Sequence, residues 1–262
     1  MYGIFTIHYM LNLLKKIKKL RIRLYERYQP FITSYPGFRC HVADKSSFLS
    51  MWDEIFEREI YKFDTENLTP YIVDCGANIG LSCIYLKKRF PKAEIVAFEP
   101  DTRIYAILIK NIRSAGLDGI QTINKGLWSS ETTKSFYSEG ADGGRIATEQ
   151  DTDGLTTITL ERLSGYLEKT VDFLKIDIEG SELEVLKECK QNLKNVEKMF
   201  VEYHSFAGKP EGLSEILSIL SDAGFTFYIE STGVRSEYPF MKVDTYLGYD
   251  NQLNIFAYRP NR

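Results

Sequence analysis

Cysteine is scarce in this chain and shows no pattern: Cys40, Cys75, Cys83 and Cys189 form no C-x-x-C pair and no metal-ligand spacing. One falls in an expected strand–turn segment and two in expected helices, which fits reduced thiols in a cytosolic protein. Long apolar runs are also missing. The first fourteen residues carry no Asp, Glu, Lys or Arg, but they are too short to span a bilayer, and Gly3, Thr6, His8 and Asn12 interrupt them. A secretory signal puts its positive charges before the apolar stretch; here they follow it, so no signal peptide is expected. A net charge of -3 argues against a protein that coats nucleic acid. No internal repeat is visible. The G-x-G-x-x-G of a dinucleotide site is absent, which counts against a nicotinamide-dependent dehydrogenase on a doubly wound sheet.

What charge there is lies unevenly. Residues 15–27 (KKIKKLRIRLYER) hold seven basic residues and one acid, a local +6 that leaves the remainder strongly acidic. Leu13, Ile17, Leu20 and Leu24 follow at spacings of four, three and four, one face of a helix. Two readings stand. The stripe packs on the domain and leaves the lysines in water, or the basic amphipathic segment 13–27 lies peripherally on an anionic membrane surface. Residues 1–65 are expected as a helical N-terminal extension, with a helix around Lys45–Glu59, and residues 66–262 as the main domain.

From Tyr71 the chain alternates regularly. Strands are expected at Tyr71–Cys75, Ala93–Phe98, Ile120–Trp128, Val171–Ile178, Val196–Tyr203, Phe225–Glu230 and Asn254–Tyr258. Helices are expected at Leu81–Phe90, Thr102–Ala115, Ser181–Cys189 and Leu213–Ala223. Such alternation signals βαβ units and a doubly wound α/β domain. Residues 129–160 break the rhythm with Gly, Ser, Thr and Asp, leaving strand-like patches at Thr133–Tyr137 and Thr156–Leu160.

The turn Asp74-Cys75-Gly76-Ala77-Asn78-Ile79-Gly80 carries the first chemistry. Gly76 lets the backbone turn out of its strand, Gly80 lets the next helix approach closely, and Asn78 tolerates positive φ. Turns of this kind at strand carboxyl ends bind nucleotide-like ligands in open α/β sheets. The spacing is G-x-x-x-G with an acid, Asp74, before it. A carboxylate there serves no pyrophosphate, but it suits a ligand with an ammonium group, directly or through water. Glu99 ends the next strand, where an acid accepts hydrogen bonds from both ribose hydroxyls. In order, the two favour an adenosine ligand.

A second cluster follows. Asp177 and Glu179 lie two apart at the carboxyl end of an apolar strand, and Ser181 with Glu184 has the S-x-x-E spacing of a capping box. A carboxylate such as Asp177 on a buried strand needs a partner. Glu202 and His204 end the next strand, and adjacent parallel strands would bring them near Asp177. His204 reads either as a satisfied structural histidine or as a catalytic one.

At these segments the sequence resembles the FkbM family of S-adenosylmethionine-dependent methyltransferases, over about Tyr71 to Tyr258. The resemblance rests on LKIDIEGSELEVLK (Leu174–Lys187), VDCGANIGLS, AFEPD (Ala97–Asp101) and TTITLERL (Thr156–Leu163). It implies the class I, Rossmann-like methyltransferase fold: a seven-stranded, mostly parallel sheet with its last strand antiparallel and helices on both faces. It also implies methyl transfer to a hydroxyl oxygen of a small-molecule or glycan acceptor, a cell-surface polysaccharide being favoured. The expected cofactor contacts are Asp74, Gly76, Ala77, Asn78, Gly80 and Asp177, Glu99 with Pro100 at the ribose, and Gly126 and Leu127 at the adenine. Trp128 reads equally as adenine platform or core, and Arg145 either as a hold for an anionic acceptor or as a solvated side chain. His204 is the expected base, oriented by Asp177 or Glu202. A second version lets Asp177, Glu179, Glu202 and His204 hold a divalent cation. A non-catalytic module that keeps the fold is the competing reading.

Overall fold

The computed structural model describes residues 17–35, 37–140, 143–148 and 151–260. Leu13 and the uncharged first fourteen residues lie outside these, as does Asp142.

The alternating strands assemble into one seven-stranded sheet. Its members are β3 (Tyr71–Cys75), β4 (Glu94–Phe98), β5 (Ile120–Ile123), β10 (Phe173–Ile176), β11 (Lys198–Phe206), β12 (Thr226–Thr232) and β13 (Tyr249–Tyr258). The spatial order is β12-β13-β11-β10-β3-β4-β5. β13 alone runs antiparallel to its neighbours. The order reverses between β3 and β10, and a ligand crevice opens at the carboxyl ends of strands at such a switch point.

The strands bury both faces, so β3 reads as a continuous apolar run apart from Asp74. Ile72, Ile95 and Phe200 face one layer with helices α2 (Leu81–Arg89) and α3 (Thr102–Ser114). Val73, Val96 and Val201 face the other, with α4 (Glu182–Cys189) and α5 (Leu213–Asp222). In α3, Asp101 caps the start by accepting from the N–H of Arg103 and Ile104 at 2.8 and 3.3 Å. Ile104, Leu108 and Ile112 form its buried stripe. Fully burying a residue such as Leu108 contributes about 1.5–3 kcal/mol.

Three departures from the expected elements matter for the site. The third strand, expected to run Ile120–Trp128, divides into β5 and β6 (Gly126–Leu127). Between them Asn124 Nδ2 donates to the carbonyls of Glu99 and Pro100 at 2.8 and 3.1 Å, drawing the chain off the large sheet. Described residues of the irregular 129–160 region join β6 in a second sheet, β6-β9-β7-β8, with β7 at Thr132–Tyr137, β8 at Arg145–Ile146 and β9 at Leu155–Glu161. The segment before residue 65 contains, besides a helix at 17–23 and α1 (Lys45–Trp52) with its π-helical continuation Asp53–Glu57, an antiparallel pair, β1 (Phe31–Thr33) and β2 (Cys40–Val42). Ile22, Phe48, Trp52 and Tyr61 share one apolar core with Ile72 and Leu86. No helix among the described residues is long and apolar enough to cross a membrane.

Candidate active site

The carboxyl ends of β3, β4, β10 and β11 open onto a cavity of about 420 Å³, within the range of small-ligand sites. On its β3–β4 side, Gly76 at φ +87° and Asn78 at φ +49° turn the chain sharply, while the N–H groups of Gly76 and Ala77 donate to Phe98 O at 3.1 and 2.8 Å. A Cβ on Gly76 would lie 1.8 Å from the Asp177 carbonyl, so the approach of β10 to this turn tolerates glycine alone. Glu99 lines the cavity, its carboxylate fixed by the N–H groups of Asn78 and Asp101 at 3.0 and 2.8 Å. Burial pushes its carboxyl up to about 8. Each oxygen keeps a second lone pair for a ligand hydroxyl. Pro100, Gly126 and Leu127 continue this wall.

On the β10–β11 side the register pairs Ile176 with Val201, so Glu202 falls beside Asp177. Asp177, Glu179 and Glu202 all line the cavity. Glu179 sits at φ +55°, a conformation that costs a non-glycine residue on the order of 1–3 kcal/mol, and Tyr249 donates to it at 2.6 Å. Burial, reinforced by Asp177, pushes the Glu202 carboxyl well above the usual carboxylate range. Behind this row lies His204, with Nδ1 3.1 Å from Glu182 and Nε2 3.4 Å from Glu179 and 3.8 Å from Glu202. Burial opposes its charge, but the surrounding Glu179, Glu182 and Glu202 outweigh that and hold its pKa well above the ordinary imidazole value. Ligand atoms of Asp177, Glu179 and His204 lie within 4.8 Å of one another, a spacing that suits a cation.

The model of the FkbM methyltransferase domain matches residues 74–227, the stretch that carries both halves of this cavity. The chain belongs to the FkbM methyltransferase family. Methyltransferase sdnD of Sordaria araneosa is 30% identical over 213 residues, covering 67% of this chain and 81% of that protein. Hexuronic acid methyltransferase AglP of Haloferax volcanii is 32% identical over 151 residues, covering 55% of this chain and 60% of its own. Among solved structures, methyltransferase FkbM of Methylobacillus flagellatus aligns with a TM-score of 0.48 at 19% identity, over 76% of this chain and 46% of that one.

In this FkbM-family methyltransferase not every expected contact reaches the cavity. Gly76, Ala77, Asn78, Glu99, Pro100, Gly126, Leu127, Asp177, Glu179 and Glu202 do, whereas Asp74, Gly80 and His204 are not among its lining. Asp74 is fully buried beneath the turn, accepting from Ser82 Oγ at 2.5 Å and Cys83 Sγ at 3.2 Å. Gly80 caps α2 at φ +87°, with Leu108 3.4 Å from where a Cβ would stand. The Ser181 side chain makes no cap; Glu182 instead accepts from the N–H groups of Gly180 and Ile178, and Glu184 pairs with Ser129. Arg145 is paired with Asp151 at 2.6 and 2.7 Å. Trp128 packs on the small second-sheet cluster under Lys134.

Lys175 is the member that sequence reasoning missed. It is buried between Asp74 at 3.4 Å and Asp177 at 3.2 Å, and it donates to Gly76 O at 2.7 Å. Burial pulls the ammonium's pKa down, and Asp177 and Asp74 more than offset it, holding the lysine well above its ordinary value. It therefore supplies the partner that the buried Asp74 requires, and pairs with Asp177 at the cavity wall. The signal was a single lysine inside the apolar run Phe173–Ile176.

Proposed function

We propose that this enzyme transfers the methyl group of S-adenosylmethionine to a hydroxyl oxygen of its acceptor, with a glycan as the favoured class. One observation carries the reading: a single cavity joins the Gly76–Asn78 turn and Glu99 to the carboxylates of Asp177, Glu179 and Glu202. The cofactor, when bound, supplies an activated methyl on a sulfonium that is itself a good leaving group. The residues present suit it. Glu99 accepts from a ribose diol, Pro100 and Leu127 flank an adenine, and the carboxylates of Asp177 and Glu179 offer acceptor oxygens to an ammonium.

Holding both substrates in line contributes about 7–11 kcal/mol of the barrier reduction. The acceptor hydroxyl must also shed its proton. His204 was the expected base, but it lies behind the carboxylates that line the cavity. Glu202 faces the cavity and in its ionised form takes the proton in this reading, its raised pKa making that form the stronger base. His204 keeps the carboxylate row in place from behind. A positioned base of this kind contributes about 10²–10⁴-fold. The likeness to a hexuronic acid methyltransferase supports a glycan acceptor.

A second version is favoured by the spacing of Asp177, Glu179 and His204, which suits a divalent cation that would lower the pKa of the hydroxyl. Isotope-labelled cofactor, incubated with glycan and lipid extracts and read by mass spectrometry, tests the reading. Label on a hydroxyl oxygen of a glycan is expected, and label only on nitrogen or carbon would overturn it. Exhaustive chelation separates the two versions. Turnover that survives supports Glu202 acting alone, and turnover that stops and returns with added Mg²⁺ supports the cation.

A further inference from the structure

Two segments carry exposed apolar side chains, and one of them also borders the cavity. The first is the helix at 17–23. Ile22 anchors it in the core at 2% exposure, and Lys19 pairs with Asp53 and Glu57. Residues two positions away lie about 200° round a helix. Leu20 therefore points away from the protein, 60% exposed, with Ile17 on the same side, and Leu24 in the turn that ends the helix is 80% exposed. The stripe that periodicity offered to the core is turned outward, and Lys18, Arg21 and Arg23 are exposed beside it.

The second segment is the loop between β12 and β13. Phe240 at its tip is fully exposed and Met241 is 86% exposed, with Tyr238 and Val243 beside them. Large side chains clustered in water mark an interaction site. The chain just beyond the helix comes near this loop, where Arg27 feels Tyr246. Tyr246, Leu247 and Val234 of that loop line the cavity itself.

Charge decides the occupant. Residues 15–27 carry seven basic residues against one acid. Cations flanking an apolar stripe bind anionic headgroups while the leucines enter the acyl boundary. A second copy of the chain docking stripe to stripe would set this charge against itself. We propose that the Leu20–Leu24 stripe and the Phe240–Met241 loop tip dock together on an anionic lipid surface, turning the cavity mouth toward acceptors carried in the bilayer. The docking stands on these surfaces alone; the lipid-carried acceptor rests on the transfer reading above.

The test is flotation of the full chain with vesicles of phosphatidylcholine, alone or mixed with phosphatidylglycerol. The protein is expected to float with the anionic vesicles, and to float less as salt screens the basic residues. L20E/L24E and F240S/M241S are each expected to weaken partitioning by about tenfold or more. Both pairs are exposed and lie outside the cavity, so thermal unfolding and cofactor binding are expected to match the parent. No flotation at low salt, or flotation unchanged in both variants, would overturn the proposal. So would a stable dimer that these substitutions dissociate while vesicles are ignored. Flotation without methyl transfer to any extract would leave the docking standing and remove the transfer reading.

Discussion

The two ends of the cavity are built on different principles. At the β3–β4 end the backbone does the shaping. Glycine and Asn78 adopt positive φ, the turn's N–H groups bond Phe98, and the Glu99 carboxylate is fixed by two further N–H groups. At the β10–β11 end side chains do it: Asp177, Glu179 and Glu202 converge from two strands, with His204 and Lys175 as the counter-charges behind them. A backbone cradle suits a ligand that never changes, as a cofactor does. A row of side chains bordered by the exposed 233–248 loop can change one residue at a time without rebuilding the backbone.

The comparison is broken or sharpened by three substitutions. Glu202→Gln removes the proposed proton acceptor at the side-chain end and should lower kcat by about 10²–10⁴-fold while leaving cofactor affinity little changed; single-turnover kinetics with labelled cofactor reads both. If kcat survives, the assignment of Glu202 is wrong. Gly76→Ala strikes the backbone end. With its Cβ forced against the Asp177 carbonyl at positive φ, it should cost more than about 3 kcal/mol in a denaturant titration. Retained stability would mean that the turn yields and is no rigid cradle.

Glu99→Gln is the gentlest. Above about pH 8, where the carboxyl is ionised, loss of hydrogen bonds to a charged acceptor should weaken cofactor binding about 10–100-fold by calorimetry. Its pH dependence carries a sign. The Glu99 carboxyl is raised to about 8, and ribose hydroxyls donate best to the ionised form, so affinity should rise as pH climbs through that value. The glutamine variant should be flat across the same range, and an unchanged slope would move the titrating group elsewhere.

Much of the scaffold was legible. β3 and α2 fall within a residue of their expected bounds, because an apolar run closed by Gly76 and a helix stopped by Pro91 are local signals. The turn at Gly76–Gly80 was equally local. Less was legible where a partner comes from far along the chain. The capping spacing at Ser181 was preempted by Glu182, which bonds the turn's N–H groups and His204 at once. Asp151 reaches Arg145 across a loop whose path no periodicity describes.

The outward Leu20–Leu24 stripe draws the line between the two sources of information. The sequence by itself determined that these leucines share a face, that Gly76 and Asn78 turn the chain, and that acids stand at the ends of three strands, because spacing sets which side chains lie together on a helix or strand. Only the tertiary structure decided which face of the helix meets the core, that His204 lies behind Glu179 and Glu202, and that Lys175 compensates Asp74 and Asp177. Those outcomes depend on burying charge and apolar surface against elements distant in sequence, and periodicity carries no record of the neighbour.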